Sequence, residues 1–467
     1  MTCVLLNHNF INEVQTVTQL FFPGDGFRFV NEPLQAPGYI IQTEVANGVA
    51  IATVFKDGNV VAHKTIVIDS LQLKLSPRRV LMLVLYHALQ ECIGAYTPWG
   101  ALTGIRPSKM VREWLQSGYS DQQVIATMQD PFCCTQEKAQ LALAVAKAEN
   151  SITRQIYKKP NPVGIYISVP FCPTRCVYCS FNISQKLASD DFQAWYVAAM
   201  VKEIAVKAAH IKQLGATVSS IYIGGGTPTV LSETLLTKLL DVVGENFGND
   251  CEYSVEAGRP DTLTPSKLKI MYNHGVNRIA VNPQTLNDNT LKLIGRNHSA
   301  ADFFAAFENA RAAGFTCINT DIIAGLPGET TGDMHHTMEG LAKFNPENIT
   351  VHTLAVKRAS NLRGNTANYT IPSVQATEDM LRIANQVCAR QGFLPYYLYR
   401  QKNMVGMFEN VGYSKPGFEC EYNVGMMAET QTVLGIGAGA VSKFVEGDKI
   451  WREFNTKDPE IYIERSN

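Results

Sequence analysis

The hydrophobic and polar positions follow two different patterns along the chain, and the change falls near residue 160. Between residues 27 and 69, apolar stretches are separated by an Asn-Gly pair at 47–48 and an Asp-Gly pair at 57–58. Both dipeptides tolerate positive φ and favour tight hairpin turns. From residue 77 to 157 the apolar residues recur at helical spacing. The pattern therefore predicts a small antiparallel sheet followed by helices.

Beyond Pro162, short β-rich runs alternate with amphipathic stretches of helical length. Six such runs follow one another, namely VGIYISV, VSSIYIG, EYSVEA, RIAVN, CINTDIIAG and NITVHTLAV. This alternation predicts a parallel sheet with right-handed crossovers, as in a complete or partial α/β barrel. After about residue 370 the sequence predicts a helix, antiparallel strands and a glycine-rich turn, GIGAG.

A segment with two prolines at 158–162 ends the helical region, because proline disfavours helical geometry in the residue before it. We therefore predict three domains: an N-terminal α+β accessory domain over 1–158, a barrel over 163–370 and a small C-terminal extension over 371–467. The predicted fold class is α/β, with a partial (β/α)6 barrel between the two flanking parts.

Composition and charge narrow the classes of partner. Of 467 residues, 46% are hydrophobic, and 41 Lys and Arg against 42 Asp and Glu give a net charge of −1. No global field therefore attracts nucleic acid or an anionic membrane. The sequence shows no signal-peptide pattern and no uncharged apolar run of about 18 residues. With eleven cysteines, we expect a cytoplasmic protein without a membrane span.

Three of the cysteines lie in one loop after the first barrel strand. Cys172, Cys176 and Cys179 are separated by three and then two residues. Thiolates at this spacing can ligate three irons of a 4Fe–4S cluster and leave the fourth iron open to a small chelating molecule. Zinc is an alternative, although a structural zinc usually takes four protein ligands; three free buried thiols are another. The position at the carboxyl end of a barrel strand favours the cluster.

A second motif, GGGTPT at 224–229, ends the second barrel strand. Successive glycines let the backbone approach a ligand closely and expose N–H or C=O groups to it. Taken alone, the same segment could be only a tight turn between a strand and a helix.

Together, the two motifs resemble the radical S-adenosylmethionine superfamily. CxxxCxxC after a YIxxPFC strand, with GGGTPT about fifty residues later, is similar to its oxygen-independent coproporphyrinogen III oxidase branch. The phrases SVEAGRPD (254–261), NPQTLND (282–288) and VHTLAVKR (351–358), with PWGALTGIRP (98–107), are most similar to the coproporphyrinogen dehydrogenases of that branch.

This resemblance implies a cytoplasmic radical enzyme of porphyrin synthesis. Its implied cofactors are a 4Fe–4S cluster and one or two molecules of S-adenosyl-L-methionine, and its implied electron source is a one-electron donor such as flavodoxin or ferredoxin. A 5′-deoxyadenosyl radical would remove hydrogen from a propionate side chain of the porphyrinogen substrate. Loss of carbon dioxide and one electron would leave a vinyl group, and two such reactions would convert coproporphyrinogen III to protoporphyrinogen IX.

The resemblance also implies a set of site residues, taken over position by position. The implied cluster ligands are Cys172, Cys176 and Cys179, and the implied S-adenosylmethionine contacts are Tyr166, Tyr178, Gly225, Gly226, Thr227, Glu256, Gln284, Arg296, Asp321, Ala355 and Val441. From the residues alone, Glu256 could instead pair with Arg259, and Ala355 and Val441 could be simple core positions. Ser168 stands where many relatives have histidine, so any role of that imidazole is absent here.

A tetracarboxylate substrate also needs local cations. The candidates are Arg175, Lys357, Arg358, Arg400, Lys402 and Lys415, although for any single one of them a solvated surface position is the commoner case.

Two rival functions stay open at this point. One is a haem-binding or haem-delivery protein that keeps the cluster, and the other is a radical enzyme that acts on haem itself. A haem carrier needs an axial ligand, for which the histidine candidates are His298, His335, His336 and His352.

Overall fold

The computed structural model describes all residues except 35, 72, 74, 95–96, 105, 181–188, 358, 365–367, 402–403, 448 and 467. The chain forms two compact units, Met1–Leu143 and Ala144–Asn467. The three-domain division stays a prediction. Among the described residues, no helix combines the length and the apolar composition that a membrane span requires.

The first unit contains a five-stranded sheet with the strand order β2-β1-β3-β4-β5. Its elements are β1 (Thr2–Leu6), α1 (Ile11–Phe21), β2 (Arg28–Val30), β3 (Tyr39–Ala46), β4 (Val49–Lys56), β5 (Asn59–Val67), α2 (Pro77–Ile93), α3 (Pro107–Gln116), α4 (Asp121–Gln129) and α5 (Gln136–Ile156), which continues past residue 143. β3, β4 and β5 are antiparallel. Asn47 and Asp57 have φ of 52° and 50° in the connecting turns, which confirms the predicted hairpins. The sheet is mixed, however, because β1 pairs in parallel with β2 and β3.

The second unit is built on six parallel strands, β6 to β11, which neighbour one another in chain order. The strands and helices up to β11 are β6 (Pro162–Val169), α6 (Asp190–Gln213), β7 (Thr217–Gly225), α7 (Glu233–Phe247), β8 (Glu252–Gly258), α8 (Pro265–Asn273), β9 (Arg278–Val281), α9 (Asp288–Leu293), α10 (Ala300–Ala312), β10 (Ile318–Ala324), α11 (Thr331–Phe344) and β11 (Asn348–Thr353). Parallel pairing from β6 through β11 confirms the partial (β/α)6 barrel.

The C-terminal extension continues this sheet at both edges. It contains α12 (Asn361–Gly364), α13 (Val374–Arg390), β12 (Leu394–Tyr399), β13 (Asn410–Ser414), α14 (Glu421–Ala428), β14 (Thr432–Ile436), β15 (Val441–Glu446), β16 (Lys449–Phe454) and α15 (Pro459–Ser466). β12 and β13 continue the sheet beyond β11 in antiparallel pairing, and β15 and β16 are also antiparallel. β14 differs from the prediction, because it runs parallel to β6.

The direction of β14 follows from the path of α14. β13 ends beside Asn348, at the amino end of β11, and β14 begins beside Val163, at the amino end of β6. α14 therefore crosses the amino end of the barrel. There the carboxylate of Glu252 accepts the backbone N–H groups of Glu421 and Tyr422, at 2.7 and 2.9 Å, which suits the positive end of the helix dipole.

One side chain of α14 reaches into the barrel. The ring of Tyr422 stacks on Tyr222 with centroids 4.6 Å apart and on Tyr166 at 6.1 Å, and Tyr166 and Tyr222 are 6.3 Å apart. Offset aromatic contacts at these distances are favourable. The three rings therefore close the inside of the barrel below the carboxyl ends of its strands.

Candidate functional site

A cavity of about 330 Å³ opens at the carboxyl ends of the barrel strands. It is lined by the loop after β6, which carries the three cysteines, and by residues at or just after the ends of β7 to β12. Of the predicted site residues, twelve line it: Cys172, Cys176, Cys179, Tyr178, Gly225, Gly226, Thr227, Glu256, Gln284, Arg296, Asp321 and Ala355. Tyr166 and Val441 do not.

The cysteine loop is fastened to the segment after α9. Val177 N–H donates to Ile294 C=O at 3.1 Å, and the Thr174 hydroxyl donates to Gly295 C=O at 3.0 Å. Cys176 is buried, whereas Cys172 and Cys179 are partly accessible from the cavity. In the part of the chain that the structure describes, no three His, Cys, Asp or Glu side chains converge on one metal ion. A cubane cluster does not need such convergence, because each thiolate binds a different iron.

Arg259 holds the same loop from the other side of the cavity. Its guanidinium is bidentate to Asp261, at 2.9 and 2.8 Å, and also donates to the Thr174 hydroxyl at 2.7 Å. The alternative pairing of Glu256 with Arg259 is therefore wrong. A bidentate pair with a carboxylate fixes the orientation of the guanidinium. Because the same guanidinium also binds Thr174, Arg259 links the end of β8 to the cysteine loop.

The three glycines at 224–226 are needed for close packing. A Cβ on Gly226 would lie 2.3 Å from Phe171 C=O, and one on Gly224 would lie 2.8 Å from Glu256 Oε2. Gly225 has φ of +106°, a conformation that other residues rarely adopt. The bare backbone thus lets the cysteine loop and Glu256 lie against the end of β7. Contact of these glycines with a ligand stays a prediction.

Two carboxyl groups face the cavity with opposite pKa directions. Burial raises the pKa of Glu256 to about 8, the charge of Asp321 adds to the rise, and Arg296 opposes it. Burial also acts to raise the pKa of Asp321, but the hydrogen bond and charge of His352 and the amide of Asn319 outweigh it and hold that pKa below its ordinary value. At neutral pH the cavity therefore contains one ionised carboxylate and one carboxyl that is largely protonated.

Asp321 is held by its neighbours on three strands. Asn319 Nδ2 donates to Oδ1 at 2.7 Å, Asn282 Nδ2 donates to Oδ2 at 3.0 Å, and His352 Nε2 lies 3.5 Å from Oδ2. The backbone N–H of Asp321 in turn donates to Asn282 Oδ1 at 3.1 Å. This carboxylate is therefore fixed in one orientation.

Gln284 and Arg296 keep unused hydrogen-bonding capacity. Gln284 has φ of 69° and is tied to β10 through its backbone, whereas its buried Oε1 has no partner among the described residues. Arg296 donates through Nη1 to Asn282 C=O at 2.9 Å, but its Nε has no partner there. Buried polar atoms without partners are costly, so both atoms are suited to a polar ligand in the cavity.

The four remaining predicted S-adenosylmethionine contacts are two tyrosines and two small apolar residues. Tyr166 lies in the tyrosine stack beneath the cavity, where burial and then the charge of Glu256 raise its pKa. Tyr178 lines the cavity beside Arg296 and Cys176. Ala355 lines it too and bridges to Met404. Val441 begins β15, away from the cavity.

Sequence reasoning did not assign cavity roles to several lining residues. They are Thr174, Gly258, Asn282, Ile323, Thr353, Leu354, Tyr399, Gln401 and Asn410. Most lie at the end of a strand, and that position is the signal that could have found them. Tyr399 and Gln401 carry no such signal from the barrel pattern, because β12 is outside the six repeated units.

The candidate histidines and cations differ in whether they line the cavity. His352 lines the cavity; His298 does not, and burial followed by the charge of Arg296 lowers its pKa to about 4. Lys357 alone of the described candidate cations lines the cavity. The remaining described ones donate to backbone carbonyls: Arg175 to Ala359, Arg400 to Met407 and Lys415 to Asn345. Arg358 and Lys402 lie outside the described residues.

Comparison with known proteins identifies the family. Residues 166–341 match the Radical SAM superfamily. The oxygen-independent coproporphyrinogen-III oxidase-like protein HemZ of Bacillus subtilis (strain 168) is 38% identical over 387 residues, which are 82% of this chain and 77% of that protein. The chain belongs to this family of radical SAM proteins. The resemblance seen in its motifs is thereby confirmed.

Other members of the branch are also similar. The heme chaperone HemW of Bacillus subtilis (strain 168) is 33% identical over 283 residues, covering 59% of this chain and 69% of that protein. The solved structure of coproporphyrinogen III oxidase (HemN) from Escherichia coli has a TM-score of 0.51 and 24% identity, with 69% of this chain and 73% of that chain covered. This structural likeness confirms the fold.

The cofactors follow from the family. Radical SAM proteins use a 4Fe–4S cluster and S-adenosylmethionine, and they need an electron donor. The cavity fits these groups, because three thiols of one loop line it together with the unpartnered Gln284 Oε1 and Arg296 Nε. The thiols could ligate a cluster, and a polar, zwitterionic ligand would find a hydrogen-bond acceptor in Gln284 Oε1 and a donor in Arg296 Nε.

Proposed function

We propose that the protein catalyses the oxygen-independent oxidative decarboxylation of coproporphyrinogen III to protoporphyrinogen IX. Each of two propionate side chains would lose one hydrogen atom to the cofactor-derived radical, then carbon dioxide and one electron, which passes to an external one-electron acceptor, and would become a vinyl group. The observation that carries this proposal is the cavity in which the cysteine loop, the Glu256–Asp321 pair and Lys357 face one space. The similarity to HemZ over 82% of the chain supports it.

In this proposal the bound cofactors supply a carbon-centred radical that can remove hydrogen from an unactivated carbon. Cys172, Cys176 and Cys179 hold three irons. Glu256, largely protonated at neutral pH, donates a hydrogen bond, whereas the ionised Asp321 accepts hydrogen bonds from ribose hydroxyls or neutralises a cationic group. Both carboxyl groups line the cavity and are only partly exposed, so a substrate bound there would exclude water from the reacting atoms.

The proposal includes a reducing, cytoplasmic setting and a one-electron donor of the flavodoxin or ferredoxin type. Thiols ligate iron as thiolates, and a reducing compartment keeps the loop cysteines available for this. The net charge of −1 gives no support for a nucleic-acid partner.

Haem delivery is the second candidate function. Two observations favour it: the similarity to the heme chaperone HemW, and the position of His352 in the cavity wall, where an imidazole can ligate iron. His352 is, however, already engaged with Asp321 at 3.5 Å. This contact makes the imidazole less available as an axial ligand.

The test is anaerobic incubation of the cluster-containing protein with coproporphyrinogen III, S-adenosylmethionine and a reductant. Mass spectrometry should detect two successive losses of carbon dioxide and stoichiometric 5′-deoxyadenosine. Cys176→Ala should abolish product and bleach the brown colour, because a cluster ligand is lost. Cys388→Ala, at a buried position in α13, is the matched control and should keep both. Tight 1:1 haem binding that His352→Phe removes, with no decarboxylated product from the wild type, would establish haem delivery instead.

A further inference from the structure

One part of the cavity wall is formed by the end of β11 and the residues that follow it. His352, Thr353, Leu354, Ala355 and Lys357 all line it. After β11 the chain is held by Leu354 N–H donating to Ala324 C=O at 2.9 Å and Lys357 N–H donating to Ala355 C=O at 3.0 Å. Lys357 is exposed and still lines the cavity. Its backbone is thus fixed while its side chain extends at the cavity mouth.

Among the described residues, Lys357 differs from the two arginines of the cavity wall because no protein group holds its side chain in place. Arg259 is bidentate to Asp261, and Arg296 donates to Asn282 C=O beneath the cysteine loop. For Lys357, no ion pair or side-chain hydrogen bond is present among the described residues. An unpaired lysine on a cavity wall can bind an anion without first losing a partner.

Part of the cavity wall near Lys357 is apolar. Ile323 and Leu354 line the cavity and belong to a hydrophobic cluster against which Val356 and Val405 also pack, partly buried. A cation at the rim of an apolar wall suits a ligand with an apolar body and carboxylates at its edge. A tetrapyrrole with propionate side chains is such a ligand.

We propose that Lys357 anchors a propionate carboxylate of the tetrapyrrole at the cavity mouth, while the reacting propionate extends towards the inner end of the cavity. This inference rests on the proposed function, which it deepens by naming a substrate-binding residue. A carboxylate of S-adenosylmethionine has the same chemistry as a propionate, so the binding experiments below measure the two ligands separately.

The first experiment measures binding and not turnover. The anaerobic, cluster-containing protein is titrated with coproporphyrin III, the oxidised and fluorescent tetracarboxylate, and fluorescence quenching gives the Kd. Lys357→Met should raise the Kd about tenfold, because a charge-assisted hydrogen bond is lost. Lys357→Arg should stay within about twofold, because the charge is kept. The matched control is Lys343→Met, an exposed lysine in the last turn of α11, which should bind like the wild type.

The second arm tests the carboxylates. Coproporphyrin tetramethyl ester has the same ring without charges, so wild type and Lys357→Met should bind it equally. An equal loss of affinity for the acid and the ester would mean that only packing was lost, and would overturn the proposal. Equilibrium dialysis of S-adenosylmethionine should give the same Kd for both proteins. A weaker S-adenosylmethionine Kd with unchanged coproporphyrin binding would also overturn it.

The outcomes separate this inference from the proposed function. If the wild type decarboxylates coproporphyrinogen III and Lys357→Met binds coproporphyrin normally, the anchor is wrong and the function stands. If the wild type gives no decarboxylated product but Lys357→Met loses affinity for coproporphyrin, the function is wrong and the carboxylate anchor stands.

Discussion

Glu256 and Asp321 show how neighbours decide the charge of a buried carboxyl group. Among the described residues, Glu256 has no amide partner comparable to the Asn282 and Asn319 amides on Asp321, so burial dominates and the pKa of Glu256 rises to about 8. Asp321 receives donors on both oxygens and stays ionised. Because one carboxyl can donate and the other can only accept, the pair is suited to different parts of one polar ligand.

The raised pKa of Glu256 predicts a pH dependence of stability. The folded protein retains a proton that the unfolded chain releases as pH rises from about 4.5 to about 8. The free energy of unfolding should therefore fall across this window and level off above it. Glu256→Gln cannot ionise, so its free energy of unfolding should not fall in this way. The difference in stability between the variant and the wild type should therefore shift in favour of the variant as the pH rises from 5 to 8. The gain is at most about 5 kcal/mol, since one pKa unit corresponds to about 1.4 kcal/mol.

Urea unfolding of the wild type and of Glu256→Gln at pH 5 and at pH 8, without S-adenosylmethionine, measures this difference in stability. Glu233→Gln is the control, because Glu233 is exposed at the start of α7. Parallel pH profiles for the wild type and Glu256→Gln would show that the carboxyl is not held in its protonated form.

The sequence motifs predict most of the residues that line the cavity, but they do not predict which lysine or arginine lines it. The cysteine spacing and the family positions indicate most of the cavity wall, because strand ends are ordered by the barrel. Lys357 and Lys415 look alike in sequence, yet Lys415 donates to Asn345 C=O and lies 3.7 Å from Glu347 beside the amino end of β11. Lys357 reaches the cavity because it follows the carboxyl end of β11, whereas Lys415 lies beside the amino end of the same strand.

The connection between β8 and the cysteine loop is the element that positions the cluster ligands. It depends on Arg259, whose side chain is 4% exposed, and on Asp261, whose side chain is 21% exposed. Asp261→Asn removes one charged acceptor and should weaken the contact of Arg259 with Thr174. Loss of one partner of a largely buried pair costs on the order of 3 kcal/mol, so the loop should open more often.

The expected result is faster loss of the cluster from Asp261→Asn under anaerobic EDTA, by about tenfold or more, followed through its visible absorbance. Asp250→Asn, at an exposed position between α7 and β8, should lose the cluster at the wild-type rate. Equal rates for all three proteins would show that the Arg259 contact does not hold the loop.

Elements with strong local signals were predicted well, and those set by distant contacts were not. Asn-Gly and Asp-Gly pairs give the hairpins of the first unit because the turn needs positive φ at those residues. The direction of β14 depends instead on where α14 places the chain, and no local pattern carries that information. The parallel pairing of β1 with β2 and β3 has the same origin.

The C-terminal extension completes the second unit as a whole. Strands β12 and β13 cover the β11 edge of the sheet, β14 covers the β6 edge, and α14 adds Tyr422 to the ring stack. A chain that ends at residue 372 would leave both edges unpaired, and unpaired edges promote aggregation. We expect this truncated protein to elute as aggregates in size-exclusion chromatography.

A chain that ends at residue 457 is the control for this truncation. It lacks only α15 and keeps every strand, so it should elute as a folded species with reduced thermal stability. A monodisperse, folded protein from the shorter chain would contradict the role assigned to the extension.

The pairing of β14 with β6 also affects the order of events during synthesis. Val169 ends β6 and Thr432 begins β14, so 262 residues lie between the two paired strands. At about 5–20 residues per second, the ribosome needs roughly 15 to 50 s to make that stretch. For most of this time the three cysteines are already synthesised, whereas β14 and the Tyr422 ring are not. Iron–sulfur assembly factors that act on the nascent chain therefore meet an open barrel, whereas factors that act after release meet a closed one.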